Sequence, residues 1–169
     1  HEIVLQRRAV IDQELVQQAV AAIMPAAAAR SITVTCHLPE VPLPLEVDPE
    51  RCTAALQYLL DNAVKFNKEH GQVEVEILGA PETIQVRIRD TGIGIPREEL
   101  EKVFQPFYQV DRRLNRAFEG AGIGLTLAKR YLELHGGSLQ LTSEVGTGTV
   151  VIAALPRPAA AVTLGSVLN

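Results

Sequence analysis

The chain has 169 residues, of which 16 are basic and 20 acidic, and its pI is near 5.6. Such a chain forms one domain that buries a sizeable core without cross-links, and it lacks the basic surface of a nucleic-acid or anionic-membrane binder. Cys36 and Cys52 lack the spacing of zinc or redox motifs, and no apolar run suits a membrane segment or signal peptide. We expect a cytoplasmic domain without direct nucleic-acid or membrane contact, whose parent protein is either membrane-anchored or soluble.

The first third of the chain predicts a linker, a helix and two strands. Residues 1–11 are expected to be a linker or the end of an upstream helix. Asp12 is the expected N-cap of a helix that Pro25 bends or ends, although the alanines at 26–29 could extend it. Its apolar residues recur at helical spacing, namely Leu15, Val16, Ala19, Val20 and Ile23. Residues 31–38 predict a strand, and 45–47 a short edge strand.

A second helix is predicted from Asp48, as N-cap before Pro49, to about Lys68. It carries Asn62 in its interior, where asparagine is mildly unfavourable. Lys65 follows three residues later on a similar face. Taken alone, the two residues fit a solvated asparagine beside a surface lysine as well as they fit a binding site.

A hairpin of residues 72–78 and 83–90 leads to the most informative stretch. Apolar residues alternate in the second strand, which is typical of one buried face. The strand ends at Asp90 and is followed by Thr91-Gly92-Ile93-Gly94-Ile95-Pro96, whose glycines allow close approach to a ligand. A buried carboxylate only accepts hydrogen bonds, so the exocyclic amine of a nucleobase is one candidate donor. The alternative is a plain turn that contains an aspartate.

The next stretch predicts a short helix from Pro96 to about Phe104, with Phe104 and Phe107 as anchors of a mobile segment. Residues 109–119 have no clear period and read as a lid, for which an ordinary surface loop is the alternative. The lid bears Arg112, Arg113 and Arg116.

The last third predicts a helix at 126–135 directly after the glycine-rich run 120–125. The free backbone N–H groups and the helix dipole at such an N-terminus favour the binding of phosphate. A closing hairpin of 138–143 and 149–155 follows, Pro156 ends the domain, and 157–169 is expected to be a disordered tail. The Walker loop, the dinucleotide fingerprint and the eukaryotic kinase motifs are absent from the sequence.

Five motifs in this order resemble the ATP-binding domain of bacterial sensor histidine kinases, in the wider family that includes gyrase, MutL and the ninety-kilodalton heat-shock chaperone. The resemblance covers residues 12–156, and its motifs are the asparagine box 59–66, the first glycine box 90–94, the phenylalanine box 104–108, and the second and third glycine boxes 120–125 and 146–149. It implies an α/β (α+β) two-layer sandwich, the Bergerat fold. This fold has a mixed, mainly antiparallel sheet of about five strands with three main helices on one face.

The resemblance also implies a role for each motif. Asn62 would ligate Mg²⁺, Lys65 would contact phosphate, and Asp90 would accept from the adenine amine with support from the Thr149 hydroxyl. Two aromatic residues, Phe66 and Tyr108, would flank the nucleotide. Glycines would allow close approach to the base, at Gly92 and Gly94, or present amides to phosphate, at Gly120, Gly122 and Gly124. The implied ATP-binding set also includes Ile95, Ile123 and Leu125, with Arg112, Arg113 and Arg116 as lid candidates for phosphate.

The implied function is binding of ATP·Mg²⁺ and donation of the γ-phosphate to a histidine on a separate dimerisation domain, with a response regulator receiver domain downstream. Catalysis would rest on positioning and charge neutralisation. His37, His70 and His135 are read as structural or capping, so the phosphoacceptor is not expected in this chain. Tyr58 and Gln109 depart from the family pattern. They support the alternative, a degenerate nucleotide-binding or protein-interaction module without phosphotransfer.

Overall fold

The computed structural model describes residues 3–96 and 121–158. Within these ranges the elements follow in the order β1 (Arg8–Ile11), α1 (Asp12–Ala29), β2 (Thr33–His37), β3 (Pro44–Val47), α2 (Pro49–Lys65), β4 (Gln72–Gly79), β5 (Thr83–Asp90), α3 (Ala121–Leu134), β6 (Ser138–Glu144) and β7 (Gly148–Pro156). The short helix expected after Pro96, the lid, and the tail beyond residue 158 lie outside the described residues.

Five strands form one sheet in the order β2-β4-β5-β7-β6. Only the pairing of β2 with β4 is parallel within this sheet, and the other three pairings are antiparallel. The predicted β4–β5 and β6–β7 hairpins are both present. The expectation of a mixed, mainly antiparallel sheet of about five strands is therefore confirmed.

The two faces of this sheet differ sharply. One face is apolar and buried, and it includes Val73, Val75, Ile77, Ile84, Val86, Ile88, Val151, Ala153 and Leu155. The opposite face carries charged residues such as Glu76 and Arg87, which form an exposed ion pair. The buried sides of the three helices join the apolar face in one core. Alternation with period two explains this division, and the predicted two-layer sandwich is confirmed.

The N-terminal segment differs from the expectation of a linker or helix end. Arg8–Ile11 is a strand that pairs antiparallel with β3 in a separate two-stranded sheet. The short strand expected at 45–47 therefore exists, but it lies outside the main sheet.

Asp12 is the first residue of α1 and not its cap. Ile11 occupies the N-cap position and its side chain makes no capping bond. The Asp12 carboxylate is buried instead, and its Oδ1 accepts from the Leu43 N–H at 3.0 Å. It thus anchors the loop before β3 against the start of the helix.

The first helix continues through Pro25 to Ala29, which is the longer of the two expected alternatives. The limits of the other two helices differ from those expected, and α2 ends at Lys65, three residues early. Helix α3 begins at Ala121, inside the glycine run and not after it. None of the helices in the described ranges is long and apolar enough to cross a membrane.

Candidate functional site

A cleft opens on the helical side of the sheet, between α2, the end of β5 and the start of α3. It encloses about 460 Å³, including the part open to solvent. Its walls are largely apolar, with Leu59, Ile93 and Leu141 among them. The sequence-predicted residues that line it are Asn62, Phe66, Asp90, Gly94, Ile95, Leu125 and Thr149. Residues far apart in the chain thus converge on one site.

The other expected site residues lie elsewhere. Lys65 is on an exposed part of α2, and the Cβ position at Gly124 lies 3.6 Å from the Tyr58 Cβ. Gly122 and Ile123 belong to the first turn of α3. Gly92 packs against the Phe66 carbonyl at the end of α2. The remaining ones lie outside the described residues, namely Tyr108, Gly120, Arg112, Arg113 and Arg116.

Asp90 is the last residue of β5 and lines the cleft. Its Oδ1 accepts from the Gly92 N–H at 2.8 Å and from the Thr149 N–H at 3.2 Å. Among the described residues, no hydrogen bond ends on Oδ2. Burial raises the pKa of the Asp90 carboxyl, and the lowering effect of the two N–H donors does not cancel this. The site therefore holds a desolvated carboxyl with one oxygen available to a donor.

The first glycine motif has an intramolecular reason for its glycines. A Cβ at Gly92 would lie 2.5 Å from the Phe66 carbonyl oxygen. Gly94 has a φ of +76°, and a Cβ there would lie 2.2 Å from the Glu144 carbonyl oxygen. We expected these glycines to allow close approach to a ligand, and the structure shows that the protein's own backbone already requires them.

Asn62 lies on the α2 face that borders the cleft. Its Nδ2 is buried and has no hydrogen-bond partner among the described residues. Most buried polar side-chain atoms in proteins are bonded, so an unpaired amide N–H donor at a cleft wall indicates a place for a hydrogen-bond acceptor of a ligand. Nearby, the Lys65 Nζ lies 5.7 Å from the centroid of the Phe66 ring.

Asn67, which the sequence interpretation did not single out, fixes the end of α2. Its Nδ2 donates to the Gln72 carbonyl at 3.0 Å, and its Oδ1 accepts from the Lys68 N–H and the Thr91 hydroxyl at 2.9 and 3.1 Å. The buried amide joins the helix that carries Asn62 to the strand ends that carry Asp90.

Arg30 caps the same helix end and was also missed. Its guanidinium donates to the carbonyls of Val64, Lys65 and Asn67, the Lys65 bond being 3.0 Å long, and it pairs with Glu69 at 3.1 Å. The last carbonyls of a helix lack intrahelical partners, and a cation there complements the helix dipole. Arg30 therefore stabilises the turn that positions Lys65 and Phe66.

The opposite end of α2 is held by Asp48 and His135. Asp48 is the N-cap, as expected, since its Oδ1 accepts from the Arg51 N–H at 3.1 Å. His135 Nε2 accepts from the Asp48 N–H at 3.0 Å, and His135 Nδ1 bonds to the Tyr131 carbonyl at 2.7 Å. A carbonyl only accepts, so Nδ1 carries the proton and the ring is neutral. Burial lowers the pKa of His135 and favours this form, which gives His135 the expected structural role.

Three comparisons extend these observations. The family described as histidine kinase-, DNA gyrase B- and HSP90-like ATPase matches residues 47–159. The sensor histidine kinase WalK of Bacillus subtilis (strain 168) is 36% identical over 122 residues, which are 71% of this chain and 20% of that protein. The chain spans about a fifth or less of the length of the curated relatives that it matches.

Solved structures share the fold. Full-length ShkA in complex with AMPPNP aligns with a TM-score of 0.80 and 24% identity over 94% of this chain and 33% of that chain. The histidine kinase ThkA in complex with the response regulator TrrA aligns with a TM-score of 0.77 and 23% identity over 93% of this chain and 43% of that chain. The family match covers well over half of the sequence, and the chain belongs to the histidine kinase-, DNA gyrase B- and HSP90-like ATPase family.

Proposed function

We propose that this chain binds ATP with Mg²⁺ in the cleft and donates the γ-phosphate to a histidine on a separate dimerisation domain. The observation that carries the proposal is the half-buried Asp90 carboxyl, which lines a largely apolar cleft and whose Oδ2 has no hydrogen-bond partner among the described residues. An exocyclic amine supplies the donor that this oxygen lacks. The surrounding walls, among them Leu59, Ile93 and Leu141, suit the faces of a flat heterocycle.

The phosphates would lie toward α2 and α3. Lys65 on α2 and the first-turn amides of α3 at Gly122 and Gly124 offer charge and donors for them. Among the described residues there is no group of three His, Cys, Asp or Glu side chains that could hold a metal ion. Mg²⁺ with nucleotides typically takes few protein ligands besides phosphate and water, so a single amide oxygen from Asn62 fits it. The ion, when bound, neutralises phosphate charge.

The proposed transfer forms a bond between an imidazole nitrogen of the acceptor and the γ-phosphorus. The bond from that phosphorus to the β,γ-bridging oxygen breaks, ADP leaves, and the imidazole releases its proton. A neutral imidazole is already a nucleophile and needs no carboxylate to remove a proton before it attacks. The step is therefore compatible with a tyrosine, Tyr58, at this position of α2. The residues of this chain bind and orient ATP. His135 is buried and bonded at both ring nitrogens, so it is not available as the acceptor.

The likeness to sensor histidine kinases supports a place in two-component signalling. WalK is named as a sensor histidine kinase, and ThkA was solved with a response regulator. A histidine-bearing dimerisation domain and a response regulator receiver domain are therefore the proposed partners. The cytoplasm, where ATP is available, is the proposed location.

The test supplies the chain with a histidine-bearing dimerisation domain of a sensor kinase and ATP labelled at the γ-phosphate. Label is expected on the acceptor histidine, and substitution of that histidine by alanine is expected to remove it. Mg²⁺-dependent ATP binding without label on its native dimerisation domain would favour the degenerate nucleotide-binding module. Absence of ATP binding would exclude both nucleotide-binding functions and favour a protein-interaction module.

A further inference from the structure

Three polar side chains lie in one row across the helix-facing side of the sheet. Asp90 pairs with Thr149 across β5 and β7, and Thr149 pairs with Ser143 across β7 and β6. Directly opposite residues of antiparallel strands share a face. Asp90 and Thr149 line the cleft, whereas Ser143 does not. Ser143 contacts the cleft residue Thr149 and can influence the cleft through it.

The Ser143 hydroxyl makes three contacts. The Ile95 N–H donates to its Oγ at 2.6 Å, the Gly148 carbonyl oxygen lies 3.0 Å away, and the Thr149 Oγ1 lies 2.8 Å away. A hydroxyl has one proton and two acceptor lone pairs. A carbonyl cannot donate, so the arrangement that satisfies all three contacts has Ser143 donating to the Gly148 carbonyl. One lone pair accepts from Ile95, and the other remains for the Thr149 proton.

The consequence appears on the cleft side of Thr149. With its proton directed at Ser143, Thr149 Oγ1 presents only lone pairs to the cleft. The Asp90 Oδ2 beside it also only accepts when ionised. We propose that Ser143 is a specificity-determining residue, because it fixes the Thr149 hydroxyl as an acceptor and so favours a purine that places an amino group, and not a carbonyl, beside Asp90 and Thr149. This inference rests on the proposed nucleotide binding and adds the reason why a 6-amino purine is accepted and a 6-oxo purine is rejected.

The experiment compares ATP with inosine triphosphate, which has the same ribose and triphosphate but a carbonyl at C6 and a proton on N1. Calorimetric titration with Mg²⁺ is expected to give wild-type protein a preference for ATP of about tenfold or more. In Ser143→Ala, the Thr149 hydroxyl is free to rotate and donate to the C6 carbonyl. The ratio of the two affinities is then expected to narrow about threefold to tenfold, the worth of one hydrogen bond.

Thr149→Val provides the control, since it removes the hydroxyl through which Ser143 would act. In a Thr149→Val background, Ser143→Ala is expected to leave the affinity ratio unchanged. Thr149→Ser keeps a hydroxyl beside Ser143 and is expected to retain the wild-type ratio. A purely structural Ser143 would instead weaken both nucleotides equally, and would do so in either background. Ser143→Cys, with a weakly hydrogen-bonding thiol, replaces the alanine variant if the latter does not fold.

The outcomes separate the two proposals. ATP binding by the wild type with an unchanged ratio in the Ser143 variants would overturn this inference and leave the proposed function standing. The inference would also be overturned if Ser143→Ala narrowed the ratio of the two nucleotide affinities in the Thr149→Val background. A wild-type protein that binds neither nucleotide would overturn both.

Discussion

The two ends of the cleft are built on different principles. At the strand end, Asp90 and Thr149 are tied to the backbone and to Ser143 by short hydrogen bonds. At the helix end, Asn62 presents a buried amide nitrogen that has no partner among the described residues. Hydrogen bonds within the protein hold the first end in position and leave Asp90 Oδ2 for a donor on the ligand, whereas no described residue bonds to the Asn62 Nδ2 at the second end.

This difference follows from the elements that carry each end. Antiparallel pairing fixes Asp90 opposite Thr149 at the cost of burying a carboxyl whose pKa is raised as a result. A single helix has no such lateral constraint, so the position of Asn62 depends on how the end of α2 is held. We infer that base recognition is preorganised and that the phosphate end depends on the contacts of Asn67 and Arg30.

Loss of Asn62 is expected to have the largest effect on function. In Asn62→Ala, the Mg²⁺-dependent stabilisation by ATP should disappear, which in the wild type amounts to about 2.7 kcal/mol at a ligand concentration one hundred times Kd. The unliganded variant should be as stable as the wild type, because no hydrogen bond with a described residue is lost. Thermal unfolding with and without ATP·Mg²⁺ measures both. Equal stabilisation of variant and wild type would contradict the assigned role.

Asn67 provides the opposite case five residues along the chain. Asn67→Ala should lower the free energy of unfolding by about 1–3 kcal/mol, since it leaves the Gln72 carbonyl and the Lys68 N–H without their partner. Urea unfolding of the unliganded protein measures this, and Asn62→Ala is the matched control. Equal stability of the two alanine variants would show that the amides do not differ in role.

Arg30→Gln should be somewhat less disruptive, lowering the free energy of unfolding by about 1–2 kcal/mol through loss of the charged cap on α2. ATP affinity, measured well below the melting temperature, should fall as well. Arg87→Gln is the control, because Arg87 forms an exposed pair on the opposite face and should cost less than about 1 kcal/mol. If both variants bound ATP like the wild type, Arg30 would have no positioning role.

The smallest expected effect is on the pH dependence of stability, through His135 at the N-terminus of α2. Burial lowers the pKa of His135 in the folded protein, whereas an unfolded histidine titrates near 6.5 (an approximate reference value). The unfolded chain therefore binds a proton that the folded chain refuses, and stability falls as pH drops below about 6.5 toward the folded pKa. His135→Gln should be less stable at pH 7.5 but show a flatter decline down to pH 5.5. Parallel profiles would assign the pH dependence to other groups.

Local patterns predicted most of the fold. Alternation marked β4 and β5 with their buried faces, and helical spacing marked α1 and α2. Strand β1 was missed because four residues without clear alternation give no signal, and its partner Pro44–Val47 lies over thirty residues away. Pro25 did not end α1, since burial of Ile23 and Ala27 on either side of it holds the helix together.

The residues of the candidate site also divide into those that local motifs identify and those that they do not. Asp90 and Asn62 belong to motifs that can be read from neighbouring residues, and both line the cleft. Arg30 and Ser143 cannot be read in this way, because their partners are brought together only by folding. The Arg30 guanidinium contacts Val64, 34 positions along the chain, and Ser143 accepts from Ile95, 48 positions away. Such contacts are tertiary, and no local pattern encodes them.

The central claim is that the Asp90 carboxyl reads the base, and titration of ATP and GTP into wild type and Asp90→Asn tests it most directly. The wild type should prefer ATP by at least about 10- to 100-fold, because GTP replaces a charge-assisted hydrogen bond with two facing acceptors. In Asp90→Asn the preference should narrow as ATP affinity falls. The unliganded variant should be no less stable at pH 7, where the desolvated carboxylate is unfavourable. Equal affinity of the wild type for ATP and GTP would contradict the claim.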